Sequence, residues 1–317
     1  MPRAAYLERE RAVRACLEQR LPAGAFRIPR WYGDKVDFGD LDVIVAREAW
    51  AEGGEAVMGQ LGIVERKSMG RLQSTVYDGL QTDFFAVGAD EVECMYTFMC
   101  FNDLGNLIGR LCRRFGLQWG EDGLAYVYRR ERHESYKALL PVTRDFARVC
   151  GLLQLDHAAW GAGFANLEEM FAWVIASPYF SVAPYLDDVK GGLAQRAKKQ
   201  RPTIERFMAF LRERGVPARP VFEDRNAYAP MVAFAFPEAR LDRQLARERA
   251  KEERARTVAA KFSGTLVMQW RPGVTGKALG ELIVAFKRSI PDFEDWVLAT
   301  PSDEIARRVV EFSVPPP

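Results

Sequence analysis

Tyr32-Gly33-Asp34-Lys35-Val36-Asp37-Phe38-Gly39-Asp40-Leu41-Asp42-Val43-Ile44-Val45 is the stretch that decides the fold. A polar, glycine-containing segment gives way after Gly39 to a β-branched apolar run, residues 41–46, which reads as a strand. Side chains alternate along a strand, so Asp40 and Asp42 share one face while Leu41 and Val43 take the other. Two carboxylates in one small space raise each other's pKa and cost stability unless a cation sits between them, which points to a divalent metal. A third acid, Asp83, lies mid-strand between Thr82 and Phe84, where burial without a partner is costly. A bare Asp-x-Asp is more often a turn followed by a solvent-facing strand residue, so the surroundings have to decide.

Outward from this stretch the periodicity predicts a helix over residues 4–20 and another over 47–60. Strands are expected at 62–67 and 72–77, joined by a turn at Met69-Gly70, and at 81–87 after Asp78-Gly79. Residues 103–115 read as a helix, 124–128 as a short strand and 143–153 as a helix. Residues 166–215 are helical with breaks at Pro178, Pro184 and Pro202, and 238–261 form a long charged helix with pairs such as Glu252 and Arg256. A small unit over 264–312 ends the chain. The aromatic stripe of Phe171, Trp173, Tyr179, Phe180, Phe207 and Phe210 is read as core and not as a base-stacking surface.

Composition bounds the function classes. The 317 residues, 48% of them hydrophobic, suffice for two or three packed modules. The 45 Lys and Arg against 43 Asp and Glu leave a net charge of +2, so only local basic clusters speak for a polyanionic partner. Five scattered cysteines and two histidines make a Cys/His zinc site unexpected and suit a reducing, cytoplasmic setting. No apolar run reaches the ~18 residues of a membrane span, and the N-terminus lacks a signal-peptide core. No membrane partner is expected.

The quoted stretch resembles the signature of the DNA polymerase beta superfamily of nucleotidyltransferases, in which a Gly-rich basic turn leads through Gly-Asp-x-Asp into a hydrophobic strand. The similarity continues through Gln81-Thr82-Asp83-Phe84-Phe85, Asn102-Asp103-Leu104-Gly105-Asn106 to Arg110, Phe115-Gly116-Leu117 and Gly123-Leu124. It reaches the late helix at Cys150-Gly151-Leu152-Leu153-Gln154-Leu155, so that residues 28–156 follow the family in order. The resemblance implies an α+β fold: a polymerase beta-like palm, a small mixed sheet with helices, followed by a largely helical C-terminal region. The expected division is a palm with an N-terminal helix at 1–95, a thumb-like subdomain at 96–156, a helical domain at 157–237, and a basic helix with a nucleic-acid-binding-like unit at 238–317. It further implies that Asp40, Asp42 and Asp83 are catalytic and hold two Mg²⁺ ions, with Mn²⁺ able to substitute. The nucleotide would be bound by Arg30, Gly33, Lys35, Gly39, Asp103, Asn106 and Arg110, with Lys35 the first candidate cation and Arg30 the second.

The chain departs from the family in three places. Pro29-Arg30 stands where a Gly-Ser pair begins the phosphate turn, and Gly33 where the family has an arginine. Phe98-Met99-Cys100-Phe101 replaces the sugar-screening Tyr-Phe-x-Gly. Only about thirty residues precede the signature, so the lyase and DNA-binding domain of repair polymerases is not expected.

Farther on, Phe262-Ser263-Gly264-Thr265-Leu266 and residues 273–282 resemble a C-terminal segment of CCA-adding enzymes and bacterial poly(A) polymerases. Glycines ahead of a helix expose N–H groups to a phosphate, and Lys277 would add a cation. Arg196, Lys198, Lys199 and Arg201 form a second candidate nucleic-acid surface. Together these imply an enzyme that adds NMP from an NTP to a nucleic-acid 3′ end, RNA and tRNA-like in preference, with little or no template, releasing pyrophosphate. Transfer onto a small molecule or protein, or a family X-like DNA polymerase, is the alternative. A nucleic-acid-binding scaffold with a relict palm is disfavoured by the three intact carboxylates.

Overall fold

The computed structural model describes residues 1–130, 133–182, 202–216 and 225–313. The chain divides into two compact units, Met1–Arg129 with Lys137–Leu241, and Arg130–Tyr136 with Asp242–Pro317.

The first unit is α+β. Helix α1 (Arg3–Arg20) buries Tyr6, Val13, Cys16 and Leu17, a stripe at helical spacing with charged residues elsewhere. A short β1 (Phe26–Arg27) leads to β2 (Asp40–Ala46), and α2 (Arg47–Gln60) follows without a break. Three strands complete the sheet: β3 (Arg66–Met69), β4 (Leu72–Tyr77) and β5 (Leu80–Val87). Their order is β1-β2-β5-β4-β3, with β2 and β5 parallel and every other pair antiparallel, which makes the expected small mixed sheet. A parallel pair needs a crossover, and here α2 with the β3–β4 hairpin supplies it.

Leu41, Val43, Val45 and Phe84 are wholly buried in one cluster with α1 and α2 residues such as Leu17 and Val57, and the Trp50 ring stacks on Phe84 at 4.6 Å. One face of the β2–β5 pair is thus fixed as core, which turns Asp40, Asp42 and Asp83 to the other face. The strand expected at 62–67 lies at Arg66–Met69 instead. Met69 pairs with Leu72, so Gly70, at φ 61°, and Arg71 close a two-residue hairpin loop.

Helices α3 (Val92–Met99) and α4 (Leu104–Cys112) follow, and a three-stranded sheet is formed in the order β6 (Leu117–Gly120), β7 (Gly123–Arg130), β8 (His133–Thr143). Strand β8 was unforeseen in the sequence, and it carries Pro141, which a sheet tolerates at an edge. The helix expected from residue 143 starts only after that strand, as α5 (Phe146–Leu153), where the Asp145 side chain accepts the Arg148 N–H at 3.3 Å. Helices α6 (His157–Ala162), α7 (Leu167–Ile175), α8 (Pro202–Glu213) and α9 (Ala229–Ala235) finish the described part of this unit. Met170, Phe171, Val174 and Phe207 are buried at 2% exposure or less, and Trp173, Phe180 and Phe210 are also buried.

The second unit is helical: α10 (Leu241–Lys261), α11 (Gly264–Trp270), α12 (Gly276–Arg288), α13 (Phe293–Ala299) and α14 (Ser302–Glu311). Its core gathers Phe262, Val267, Leu282, Phe286, Val297, Ile305 and Val309, with Leu279 and Ile283 packed at its margin. Arg254 bridges Glu294 and Asp295, and the Lys261 ammonium donates to the carbonyls of Leu298 and Thr300, tying α10 to α13.

Candidate active site

The parallel register pairs Asp42 with Asp83 and Asp40 with Gln81. One oxygen from each of Asp40, Asp42 and Asp83 lies within 4.8 Å of the others. Asp83 is 7% exposed, and two side chains satisfy it: Ser74 Oγ on the neighbouring β4 donates to Oδ1 at 2.6 Å, and Gln81 Nε2, two residues earlier on β5, donates to Oδ2 at 2.9 Å. Ser74 is the β4 partner of Asp83 in the ladder, so its hydroxyl is delivered by register. Neither Ser74 nor Gln81 was singled out in the sequence. The cross-strand pairing that brings Ser74 to Asp83 is not written in local periodicity, whereas Gln81 is its i−2 neighbour on the same strand face.

Burial first, then Asp40 and Asp83, push Asp42 up to about 7, opposed by Lys35. Asp40 is raised too, by burial and by Asp83. The Lys35 ammonium is lowered by burial while Asp40 and Asp42 pull it back up. It donates to Asn102 Oδ1 at 3.2 Å and lies 4.5 Å above the Phe38 ring. Phe38 in turn stacks on Tyr6 at 3.9 Å, and burial with the charges of Glu10, Asp42 and Asp40 keeps the Tyr6 phenol protonated. Tyr6 is a site neighbour the sequence did not mark, since on α1 it reads as core. With the ionisation of Asp40 and Asp42 held back by burial and by neighbouring acids, the three carboxylates form a donor set of the hard, anionic kind that suits Mg²⁺.

Tyr6, Lys35, Phe38, Asp40, Asp42 and Asn102 line a cleft of about 1470 Å³, with Asp83 behind Asp42 and outside that lining. Gly39, Asp103 and Asn106 line it too, and Asn106 donates to Asp103 at 3.0 Å. A side chain at Gly39 would meet nothing within 4 Å. Arg110 ends α4, outside the lining of this cleft. A second groove of about 1180 Å³ shares Phe98, Asn106 and Glu121 with the first and carries Arg113, Arg129 and Arg144.

The turn before β2 is held from both sides. Gly33 and Asp34 donate their amides to the carbonyls of Phe164 and Ala165, each at 2.8 Å, and Lys35 and Phe38 donate theirs to Tyr32 and Met1. The amide of Gly33, a residue expected at the nucleotide, is therefore engaged by protein, as is that of Asp34. Gly33 is required here by close approach, because a Cβ would come 2.9 Å from the Ala165 carbonyl oxygen. The Arg30 guanidinium donates to the carbonyls of Gly161 and Trp160 at 2.7 and 3.0 Å, between the rings of Phe101 and Trp160. It anchors the turn to α6. Lys277 belongs to the second unit, exposed at the start of α12 with Glu281 at 3.7 Å. Arg196, Lys198, Lys199 and Arg201 lie outside the described residues.

No helix among the described residues is long and apolar enough to cross a membrane, and all five cysteines are buried thiols. No protein-family model matches the chain, and no curated protein sequence does. Among solved structures it is similar to polymerase beta of Leishmania infantum in a ternary P/T complex, over 50% of this chain and 74% of that one. The TM-score is 0.36 and the sequence identity 14%.

Proposed function

We propose that the chain is a metal-dependent nucleotidyltransferase that adds NMP from an NTP to the 3′ hydroxyl of a nucleic acid, RNA in preference, without need of a template. The observation that carries the reading is the convergence of Asp40, Asp42 and Asp83 within 4.8 Å beside Lys35. Mg²⁺ bound by these carboxylates, or Mn²⁺ in its place, supplies Lewis-acid stabilisation of the attacking and leaving oxygens. Asp40 and Asp42 would hold two ions and Asp83 one of them.

The chain's own groups do the rest. Ser74 and Gln81 fix both oxygens of Asp83, so the acceptor hydroxyl meets a carboxylate of set orientation as it loses its proton. The acceptor oxygen bonds to the α-phosphorus, the bond to the bridging oxygen breaks, and pyrophosphate leaves with the electron pair. Lys35, near Asp40 and Asp42, offsets negative charge on the phosphate being transferred. Asp103 and Asn106 sit on the lining where a base or sugar would lie. The arginines of the adjoining groove favour a polyanionic acceptor, and the segment around Gly264 and Lys277 favours RNA.

A second reading, transfer onto a small molecule or protein, is favoured by the acidic lining of the main cleft, which adds Asp34, Asp37, Glu168 and Glu213 to the site's own acids. Incubation with each labelled NTP and dNTP, Mg²⁺ or Mn²⁺, and tRNA, single-stranded RNA, primed DNA or no nucleic acid separates the two. Metal-dependent pyrophosphate release with extension of RNA is expected. Its absence with every nucleotide and acceptor would defeat the reading.

A further inference from the structure

The cleft must hold a polyphosphate tail if the proposed function is right, and the groups first in line for that task are spent. The Gly33 and Asp34 amides are bonded to Phe164 and Ala165, and the Arg30 guanidinium is bonded to Trp160 and Gly161. Lys35 faces Asp40 and Asp42. An NTP carries close to four negative charges, more than the carboxylate cluster can neutralise with its ions while one lysine stands by.

Among the described residues, one other cation lines this cleft. Helix α8 presents Pro202, Thr203, Arg206, Ala209, Phe210 and Glu213 to it, a stripe spaced by three and four residues. Ile204, Phe207, Met208 and Leu211 are buried, which fixes the rotation of the helix and so the face on which Arg206 emerges. Arg206 is exposed and makes no ion pair among the described residues. Its charge is felt by the Tyr32 hydroxyl, which burial raises and Arg206 lowers, so it stands beside the turn that leads to the carboxylates. Resting on the nucleotidyltransferase reading, we infer that Arg206 is the cation that binds the β- and γ-phosphates of the nucleotide. It lies beyond residues 28–156, the stretch that resembles the polymerases, so the helical segment after the thumb-like part completes the nucleotide site. Arginine suits the task, because its planar fork can meet two phosphate oxygens at once and it stays charged at any physiological pH. The role is the same whichever acceptor the enzyme uses.

The experiment is equilibrium binding of Mg·ATP and of AMP to the wild-type chain and to Arg206→Ala and Arg206→Lys, with melting temperatures recorded for each. Because Arg206 is exposed, both variants should melt like the wild type. Arg206→Ala should weaken Mg·ATP about 10- to 100-fold, as expected for a lost charge-assisted hydrogen bond, and leave AMP within about twofold. Arg206→Lys should recover part of the loss, and inorganic tripolyphosphate should compete with ATP less well in Arg206→Ala. Mg·ATP binding unchanged in Arg206→Ala while the wild type binds it overturns the assignment and spares the proposed activity. Equal weakening of ATP and AMP overturns it as well, since a phosphate-tail contact cannot act on AMP's base and sugar. No binding of any nucleoside triphosphate by the wild type overturns the activity itself.

Discussion

Asp42 is the residue whose protonation would tie folding to the proposed metal binding. Its folded-state pKa is raised to about 7 by burial, Asp40 and Asp83, against an ordinary value near 4. The stability this group contributes is therefore full below about pH 4 and is lost as pH rises through about 7, on the order of a few kcal/mol. The metal-free protein should melt at progressively lower temperature across that window, other groups being equal. Mg²⁺ requires the ionised carboxylates, so its apparent affinity should rise with pH up to about 7 and then level off. Replacing Asp42 by Asn keeps size and strand geometry but removes the charge. Melting of the chelator-treated variant should lose that component of its pH dependence and be higher than wild type near neutrality, while nucleotide transfer falls by several orders of magnitude. Asp34→Asn, at an exposed turn position, should leave transfer within a few-fold. Wild-type turnover in Asp42→Asn, or a collapse confined to Asp34→Asn, would place the chemistry on another acid.

The α3–α4 crossing carries the constraint that brings Asp103 and Asn106 to the cleft. A Cβ on Gly105 would lie 2.2 Å from the Phe98 carbonyl oxygen, so the two helices touch through bare backbone. Phe101 and Asn102 between them take φ 60° and 61°, left-handed values that cost on the order of 1 kcal/mol each outside glycine. The Phe101 ring, 1% exposed, offsets part of this by edge contacts with Phe164 and Trp160 and by the Arg30 guanidinium at 4.9 Å. Gly105→Ala should therefore destabilise by about 1 to 3 kcal/mol despite alanine's better helix propensity. It should also raise KM for the nucleotide by shifting Asp103 and Asn106. Denaturant unfolding reads the first effect, and a stabilised variant would show that the crossing opens freely. The same elements show what a sequence reveals. The strand at residues 41–46 and the helix at 47–60 were legible because a buried β-branched run and an amphipathic stripe are local signals. Strand β8 was not, because Pro141 and its charges mimic a loop when the neighbouring strand is unknown. Nor could the roles of Ser74 and Arg30 be read, since each depends on a partner in another strand or helix: Asp83 on the neighbouring strand for Ser74, and carbonyls some 130 residues away for Arg30.

For the molecule as a whole, a net charge of +2 gives no general attraction for a polyanion, so the proposed binding of RNA would have to come from where the cations are grouped. Two groupings compete. One is the groove beside α4, with Arg113, Arg129 and Arg144, of which Arg144 already pairs with Asp90 and Glu91. The other is Arg196, Lys198, Lys199 and Arg201, whose cluster is known from sequence alone. Each phosphate contact releases counterions, and for single strands each one lost should lower the slope of log affinity against log salt by about 0.7. Neutralising the second cluster as a whole should therefore reduce the slope by up to about 3 if all four residues touch phosphates. Neutralising Arg113 and Arg129 should reduce it by about 1.4 at most. The two losses should add if one strand crosses both surfaces and meets each at its own phosphates. Titrations of single-stranded RNA against both variants and their combination, at several salt concentrations, measure this directly. Unchanged affinity and slope in the four-residue variant would remove that cluster from the acceptor path. Unchanged values in all three would mean that no polyanion is bound at these surfaces, and the acidic lining of the main cleft would then favour the small-molecule or protein acceptor.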